Sequence, residues 1–317
     1  MAAYVLRRLV GSIPVLFGVT LVSFFIMQIV PGDPASIIAG LGATPQEVER
    51  VREELGLNRP MLVQLLNWYG GMIRGDLGDS VLLGRSVTRA IVERLPVTLS
   101  LSGYALAITL VVGLLSGVFA ALRPNTWLDQ ALMTVALVGV SLPSFWLGLM
   151  LIVVFAVQLD WLPSGGYVAP SVSVVGWLRS ATLPAISLAL LQVGLLARIT
   201  RATMLEVLGQ DYIRTARTKG LPAWSVVAKH AFTNVLVPVV TVVGIIFSLL
   251  LSGSVVIETV YSLPGVGRLL AAAVLRRDYP VIQGGLLMLA GALLFLNLLV
   301  DVLYAYLDPR VRYGTGQ

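Results

Sequence analysis

From residue 96 to residue 122 the chain reads PVTLSLSGYALAITLVVGLLSGVFAAL, with no Asp, Glu, Lys or Arg. An α-helix needs about 20 predominantly apolar residues to cross a hydrocarbon core about 30 Å thick, and this stretch exceeds that length. Five more charge-free runs repeat the pattern: Leu9–Gly32, Ala131–Leu159, Ser180–Ala197, Ala231–Ile257 and Tyr279–Val300. A soluble domain can bury one such helix, but six in a chain of 317 residues leave no polar surface to face water. Runs this long also argue against an outer-membrane barrel, whose strands are about 10 residues of alternating pattern. Helices then remain as the structure that satisfies the backbone inside lipid. The expected fold is all-α, a polytopic membrane protein of about six transmembrane helices.

Composition agrees, with 57% hydrophobic and 12% charged residues, against roughly 25% charged in an ordinary soluble domain. The first run follows Arg7 and Arg8, as in a signal peptide. It continues without a small-x-small cleavage site before Pro31, so it is expected to stay as the first membrane helix. Cysteine is absent, which excludes disulfides and cysteine metal sites, and a single histidine, His230, argues against a metal cluster. The net charge of +6 is spread around the spans rather than gathered in a stripe, so no nucleic-acid partner is expected.

Placing the amino terminus in the cytoplasm makes residues 1–8, 123–130, about 198–230 and 308–317 the inner pieces. These carry Arg7, Arg8, Arg123, Arg198, Arg201, Arg214, Arg217, Lys219, Lys229, Arg310 and Arg312, half of the 22 basic residues. The short outer loops hold Arg179, Arg268, Arg276 and Arg277, and the rest lie in residues 31–96, where charge counts little for orientation. Both termini are therefore expected inside, in the cytoplasmic membrane of a prokaryote.

The chain divides into residues 1–30 with the first span, an extracytoplasmic helical insertion at 31–96, and a five-helix core at 97–317 with an inner loop at about 206–230. Within the insertion Thr44-Pro-Gln-Glu47 reads as a capping box with proline at the first helical position. Val48, Val51 and Leu55 follow at helical spacing, and Gly56 supplies a stop. A second amphipathic stretch runs from Pro60 to Ile73, Gly75–Asp79 turns the chain, and Arg85–Arg94 forms a third short helix. Such a cap near the membrane surface serves either to anchor the bundle or to dock a delivery protein.

Pro14, Pro143, Pro184 and Pro238 should kink or break their helices. Gly244, Ser248, Ser252 and Gly253 are small residues suited to tight helix contacts. Gln28, Gln158, Gln192 and Asn297 are expected to face the bundle interior, where they line a path or join helices. Asp301 stands near the inner end of the last span, and no span holds a chain of carboxylates of the kind that couples protons or sodium. That weakens an ion-driven secondary transporter. A membrane-embedded enzyme would need a nucleophile with its base, or paired acids, at membrane depth, and a membrane sensor would need no motor.

The inner connection Asp211-Tyr-Ile-Arg-Thr-Ala-Arg-Thr-Lys-Gly-Leu-Pro-Ala-Trp-Ser225 reads as a short helix to Lys219, a break at Gly220 with Pro222 behind it, and a second helix entering the fifth span. A basic elbow of this kind is either a surface-lying anchor or a mechanical contact for a soluble partner.

This elbow, with Lys229-His230-Ala231 and Asn234–Pro238, resembles the cytoplasmic signature of the dipeptide/oligopeptide permease branch of binding-protein-dependent ABC importers. Pro31–Pro34, Glu54–Pro60, Gly75–Gly78, Glu93–Pro96, Ser141–Trp146, Glu258–Gly267, Asp278–Pro280 and Leu307–Arg310 fit the same branch in order, so the resemblance covers nearly the whole chain. The wider superfamily has Glu-Ala-Ala before the glycine; here Arg214-Thr-Ala216 precedes Gly220, as in the peptide branch. The resemblance implies a type I ABC importer permease fold. It also implies that Arg214, Thr215, Ala216, Lys219, Gly220 and Leu221 form a coupling helix seated on an ATPase subunit.

Partners so implied are a homologous second permease subunit, two ATPase subunits and an extracytoplasmic solute-binding protein, besides the lipid bilayer. Peptides are the implied substrate, with nickel complexes, glutathione and oligosaccharides as alternatives. The chain itself has no Gly-Lys pair and hence no phosphate-cradling P-loop, so ATP and Mg are expected on the partner ATPases and no cofactor in this chain. Glu258 begins a turn-rich outer loop and, with Arg276 or Arg277, is a candidate gate or contact for charged peptide termini; Gln192 and Asn297 are candidates for the substrate path.

Overall fold

The computed structural model of the chain describes residues 2–29, 33–40, 42–54, 56–80 and 82–307. Pro31–Gly32, Asp308–Arg310 and Arg312, and the side chains of Arg7 and Gln28, lie outside the described residues.

Helix α1 (Ala2–Ile29) carries the first apolar run. Short elements follow: α2 (Pro34–Ala39), α3 (Pro45–Glu54), α4 (Met61–Ile73), the antiparallel strands β1 (Asp79–Ser80) and β2 (Arg85–Ser86), and α5 (Val87–Val92). The long helices are α6 (Leu95–Leu122), α7 (Trp127–Ser141), α8 (Ser144–Leu151), which runs on in π-helical turns to Gln158, and α9 (Val174–Leu208). After α10 (Asp211–Thr218), α11 (Ala223–Ser225) leads through a π-helical stretch at Val226–Ala231 into α12 (Phe232–Val260). The chain then forms α13 (Val266–Arg276) and α14 (Tyr279–Leu307).

Among the described residues, five helices are long and apolar enough to cross a membrane, or six if α7 and α8 make one broken crossing. That pair bends by 104°. Pro143 is the cause: it lacks an N–H, and its ring pushes Leu142 into an extended conformation (φ −88°, ψ 130°). Pro14, Pro184 and Pro238, also expected to kink or break their helices, lie inside continuous ones. The all-α expectation holds, with one small addition: the turn read at Gly75–Asp79 continues into a two-residue β1–β2 ribbon, closed by the Gly84 N–H on the Ser80 carbonyl.

The capping box is present. Glu47 accepts from the Thr44 N–H at 2.7 Å, and the Glu47 N–H reaches Thr44 Oγ1 at 3.4 Å. The Thr44 backbone and hydroxyl hold the Glu47 carboxyl below the usual carboxylate range. Gly56 ends α3 as read, its N–H bonding Glu53 while the Leu57 N–H bonds Arg52.

The chain forms two compact units. The first, Val97–Leu263 with the described residues from Leu296 onward, is built around α9, whose apolar stretch is 72% buried, against 17% for α1. Small residues let its neighbours approach closely. A Cβ on Gly117 of α6 would lie 2.6 Å from the Ala197 carbonyl oxygen, and one on Gly194 of α9 would collide with the carbonyl of Ala136 in α7. Gly244 and Gly253 pack as expected, against Val300 and Leu188, whereas Ser252 is exposed.

The second unit, Ala2–Pro96 with Pro264–Phe295, has an apolar cluster of Val87, Ala90, Ile91, Val266, Leu270 and Val281. Ser80 of the ribbon donates to the buried Asp278 carboxylate ahead of α14. The stretch Glu258–Gly267, expected to be a turn-rich loop, is instead the last turn of α12, a short turn and the start of α13.

Candidate functional site

The connection between α9 and α12 folds as the sequence indicates. Helix α9 stops at Gly209, α10 begins after Gln210, and the chain reverses at Gly220 with φ +75°. The Gly220 N–H bonds the Arg217 carbonyl at 3.0 Å and the Leu221 N–H reaches the Ala216 carbonyl at 3.4 Å, the paired bonds of a left-handed helix end. Pro222 fixes the restart of the chain, with its carbonyl accepting from the Ser225 and Val226 N–H groups.

The two sides of this elbow differ. Ile213 and Ala216 point inward and share an apolar cluster with Met204, Val226 and Ala231. Arg214, Thr215, Lys219, Gly220 and Leu221 are exposed, as are Tyr212, Arg217 and Trp224. Five of the six candidate coupling residues therefore present a surface, and Ala216 is the anchor that holds it. Arg214 lies 3.5 Å from Asp211 with both side chains largely exposed, so their pairing adds little. The exposed face keeps the basic character of Arg217 and Lys219 and adds the apolar area of Leu221 and Trp224.

Near the C-terminal end of α9 lies a pair that reading the sequence missed. Arg201 holds the carboxylate of Asp129, in the first turn of α7, with Nε–Oδ1 and Nη2–Oδ2 both at 2.6 Å. Asp129 is 3% exposed and also accepts from the Asn125 N–H at 2.9 Å. Thr126 caps the same helix. The signal was present, because Thr126-Trp-Leu-Asp129 has the spacing of a helix start. The clamp ties the turn between α6 and α7 to the helix that carries the elbow.

The candidate gate and path residues differ in burial. Glu258 is fully buried within α12 rather than exposed at an outer loop, and Thr98 Oγ1 donates to it at 2.6 Å. Arg276 and Arg277 are exposed at the end of α13. Gln192 is buried in α9 with its Oε1 lacking a hydrogen-bond partner, which fits the interior placement expected for it. Gln158 and Asn297 are exposed in this chain, contrary to that expectation. A second buried group was not foreseen: Tyr261 Oη sits 2.9 Å from Ser187 Oγ and donates to the Gly148 carbonyl at 3.0 Å, joining the end of α12 to α8 and α9.

Comparison with known proteins places this geometry. Residues 113–313 match the family described as binding-protein-dependent transport system inner membrane component, and residues 1–102 match the N-terminal family of the same transport systems. A putative peptide transport system permease protein of Brucella abortus is 54% identical over 313 residues, covering 99% of this chain and 100% of that protein. The dipeptide transport system permease protein DppB of Alkalihalophilus pseudofirmus is 41% identical over 333 residues, and the glutathione transport system permease protein GsiC of Escherichia coli is 42% identical over 313 residues; each covers 99% of this chain and 100% of the relative.

Proposed function

The chain belongs to the binding-protein-dependent transport system inner membrane component family, and we propose from this that it is the permease subunit of an ATP-driven importer of di- or oligopeptides. The observation that carries the substrate class is full-length similarity to relatives named as peptide and dipeptide permeases. As an inner membrane component with several spans, it forms a passage rather than a catalytic centre.

In this reading both termini and the elbow are cytoplasmic, and residues 31–96 form an extracytoplasmic insertion ahead of a core at 97–317. A homologous permease completes the passage, a solute-binding protein delivers substrate, and two ATPase subunits hold ATP and Mg. The exposed Arg214, Thr215, Lys219, Gly220 and Leu221, anchored by Ala216, seat on an ATPase. Closure of the ATPases draws the elbows together and moves α9, and with it α7 through the Asp129–Arg201 clamp, as a rigid-body change between inward and outward access. Gln192, Glu258 and Asn297 remain the candidates for the path. Of these, the exposed Asn297 is the one a second permease subunit or a substrate can reach directly.

The test is uptake of a labelled dipeptide by proteoliposomes containing the four membrane and ATPase subunits with the binding protein. ATP-dependent accumulation is expected. Accumulation of glutathione with none of dipeptide would replace the peptide reading with that of the glutathione relative.

A further inference from the structure

Helix α4, Met61-Leu-Val-Gln-Leu-Leu-Asn-Trp-Tyr-Gly-Gly-Met-Ile73, has no charged residue, whereas α3 just before it carries Glu47, Glu49, Arg50, Arg52, Glu53 and Glu54. At 1.5 Å per residue α4 is about 20 Å long, too short to cross a core of about 30 Å and in the length class of re-entrant or interfacial segments. Its apolar side is uncovered: Leu62 is 72%, Leu66 69% and Ile73 82% exposed. These positions fall on one helical face, and Tyr69 lies on that same face.

Tyr69 shows how deep this face sits. Its ring stacks on Phe17 of α1 with centroids 5.6 Å apart, and its hydroxyl is 2.8 Å from Thr20 Oγ1. Trp68 packs beside Phe24 at 6.4 Å. The charge-free run that α1 carries extends from Leu9 to Gly32, so Phe17 and Phe24 both stand well inside it. A helix that packs on both lies within the hydrocarbon layer. The polar side chain of Gln64 is occupied internally, donating to the Leu57 and Arg59 carbonyls. Arg59 and Arg74 stand just beyond the two ends, both exposed, where long cationic side chains reach headgroup phosphates.

We propose that α4 is a re-entrant helix seated in lipid, with Leu62, Leu66 and Ile73 against acyl chains and Arg59 and Arg74 at phosphates. The occupant of this face is phospholipid and not the solute-binding protein, which leaves the charged α3 as the part of the insertion exposed to water. The inference rests on the reading of α1 as a membrane span.

Because this chain has no cysteine, single spin labels report one position in it once the partner subunits are made cysteine-free. Leu66→Cys on α4, Glu53→Cys on α3 and Val15→Cys on α1 are placed in the full transporter in phosphatidylethanolamine/phosphatidylglycerol nanodiscs, and relaxation by oxygen is compared with relaxation by a water-soluble nickel chelate. The Leu66 label is expected to follow the Val15 label, with an oxygen-to-nickel ratio several-fold above that at Glu53. Ile73→Cys gives the same reading where Leu66→Cys does not assemble. A Leu66 label as open to nickel as Glu53, or one shielded from nickel only after binding protein is added, overturns the proposal while leaving the importer reading intact. An aqueous Val15 label would overturn the placement of α1 itself.

Discussion

Arg201 and Asp129 meet through two parallel hydrogen bonds of 2.6 Å, joining the C-terminal part of α9 to the first turn of α7. The fork of the guanidinium matches the carboxylate, and the N-terminal turn of α7 favours the negative charge. Removing one member leaves the other uncompensated in a nearly closed site. Arg201→Ala is therefore expected to cost about 3 kcal/mol, the lower end for a buried pair because Arg201 keeps part of its side chain exposed. A melting curve of the purified complex reads the loss, and Asp129→Leu with Arg201→Met is expected to recover much of it.

Gly220 adopts φ +75°, and a Cβ there would meet nothing within 4 Å. The constraint is thus backbone conformation and not space. Gly220→Val is expected to abolish substrate-stimulated ATP hydrolysis while the subunits remain inserted and assembled. Gly220→Asn, which tolerates the left-handed region, is expected to retain a large part of it. Equal loss in both variants would show that the side chain, rather than the turn, is what the partner refuses.

Gly194 lies where a Cβ would strike the Ala136 carbonyl, whereas a Cβ on Gly103 of α6 meets nothing within 4 Å. Gly194→Ala is expected to destabilise the first unit by about 1–3 kcal/mol through overpacking, with Gly103→Ala close to neutral. Thermal aggregation in detergent distinguishes the two.

Glu258 is fully buried with Thr98 donating to it at 2.6 Å. Glu258→Ala is expected to cost about 1–3 kcal/mol, the range for leaving a buried hydrogen-bond partner unsatisfied, and Glu258→Gln less, since the amide oxygen still accepts. If Glu258 also serves the substrate path, Glu258→Gln lowers peptide uptake while leaving the melting temperature near that of the parent.

Much of this architecture was legible because lipid imposes a coarse rule: a long run without charge becomes a helix, and the runs in α1, α6, α9, α12 and α14 did so. The elbow was legible for local reasons, since Gly220 and Pro222 punctuate a charged helix in any context. What escaped depends on distant partners. Asp129 and Arg201 are 72 positions apart, and the sequence gives each as an ordinary loop charge. Glu258 was misplaced because a carboxylate near the end of an apolar run reads as the start of a loop, while partners on distant parts of the chain, Thr98 among them, meet it inside. The exposure of Gln158 and Asn297 follows from packing within this one chain, which no spacing rule contains.

The account depends most on the elbow being cytoplasmic and pressed by a motor subunit. Leu221→Cys supplies one thiol in a cysteine-free chain. In inverted membrane vesicles a membrane-impermeant maleimide is expected to label it when the ATPase subunits are absent, and their assembly is expected to protect it and allow cross-linking to them. Labelling of Leu221→Cys from the outside of intact cells, unaffected by the ATPases, would contradict the account.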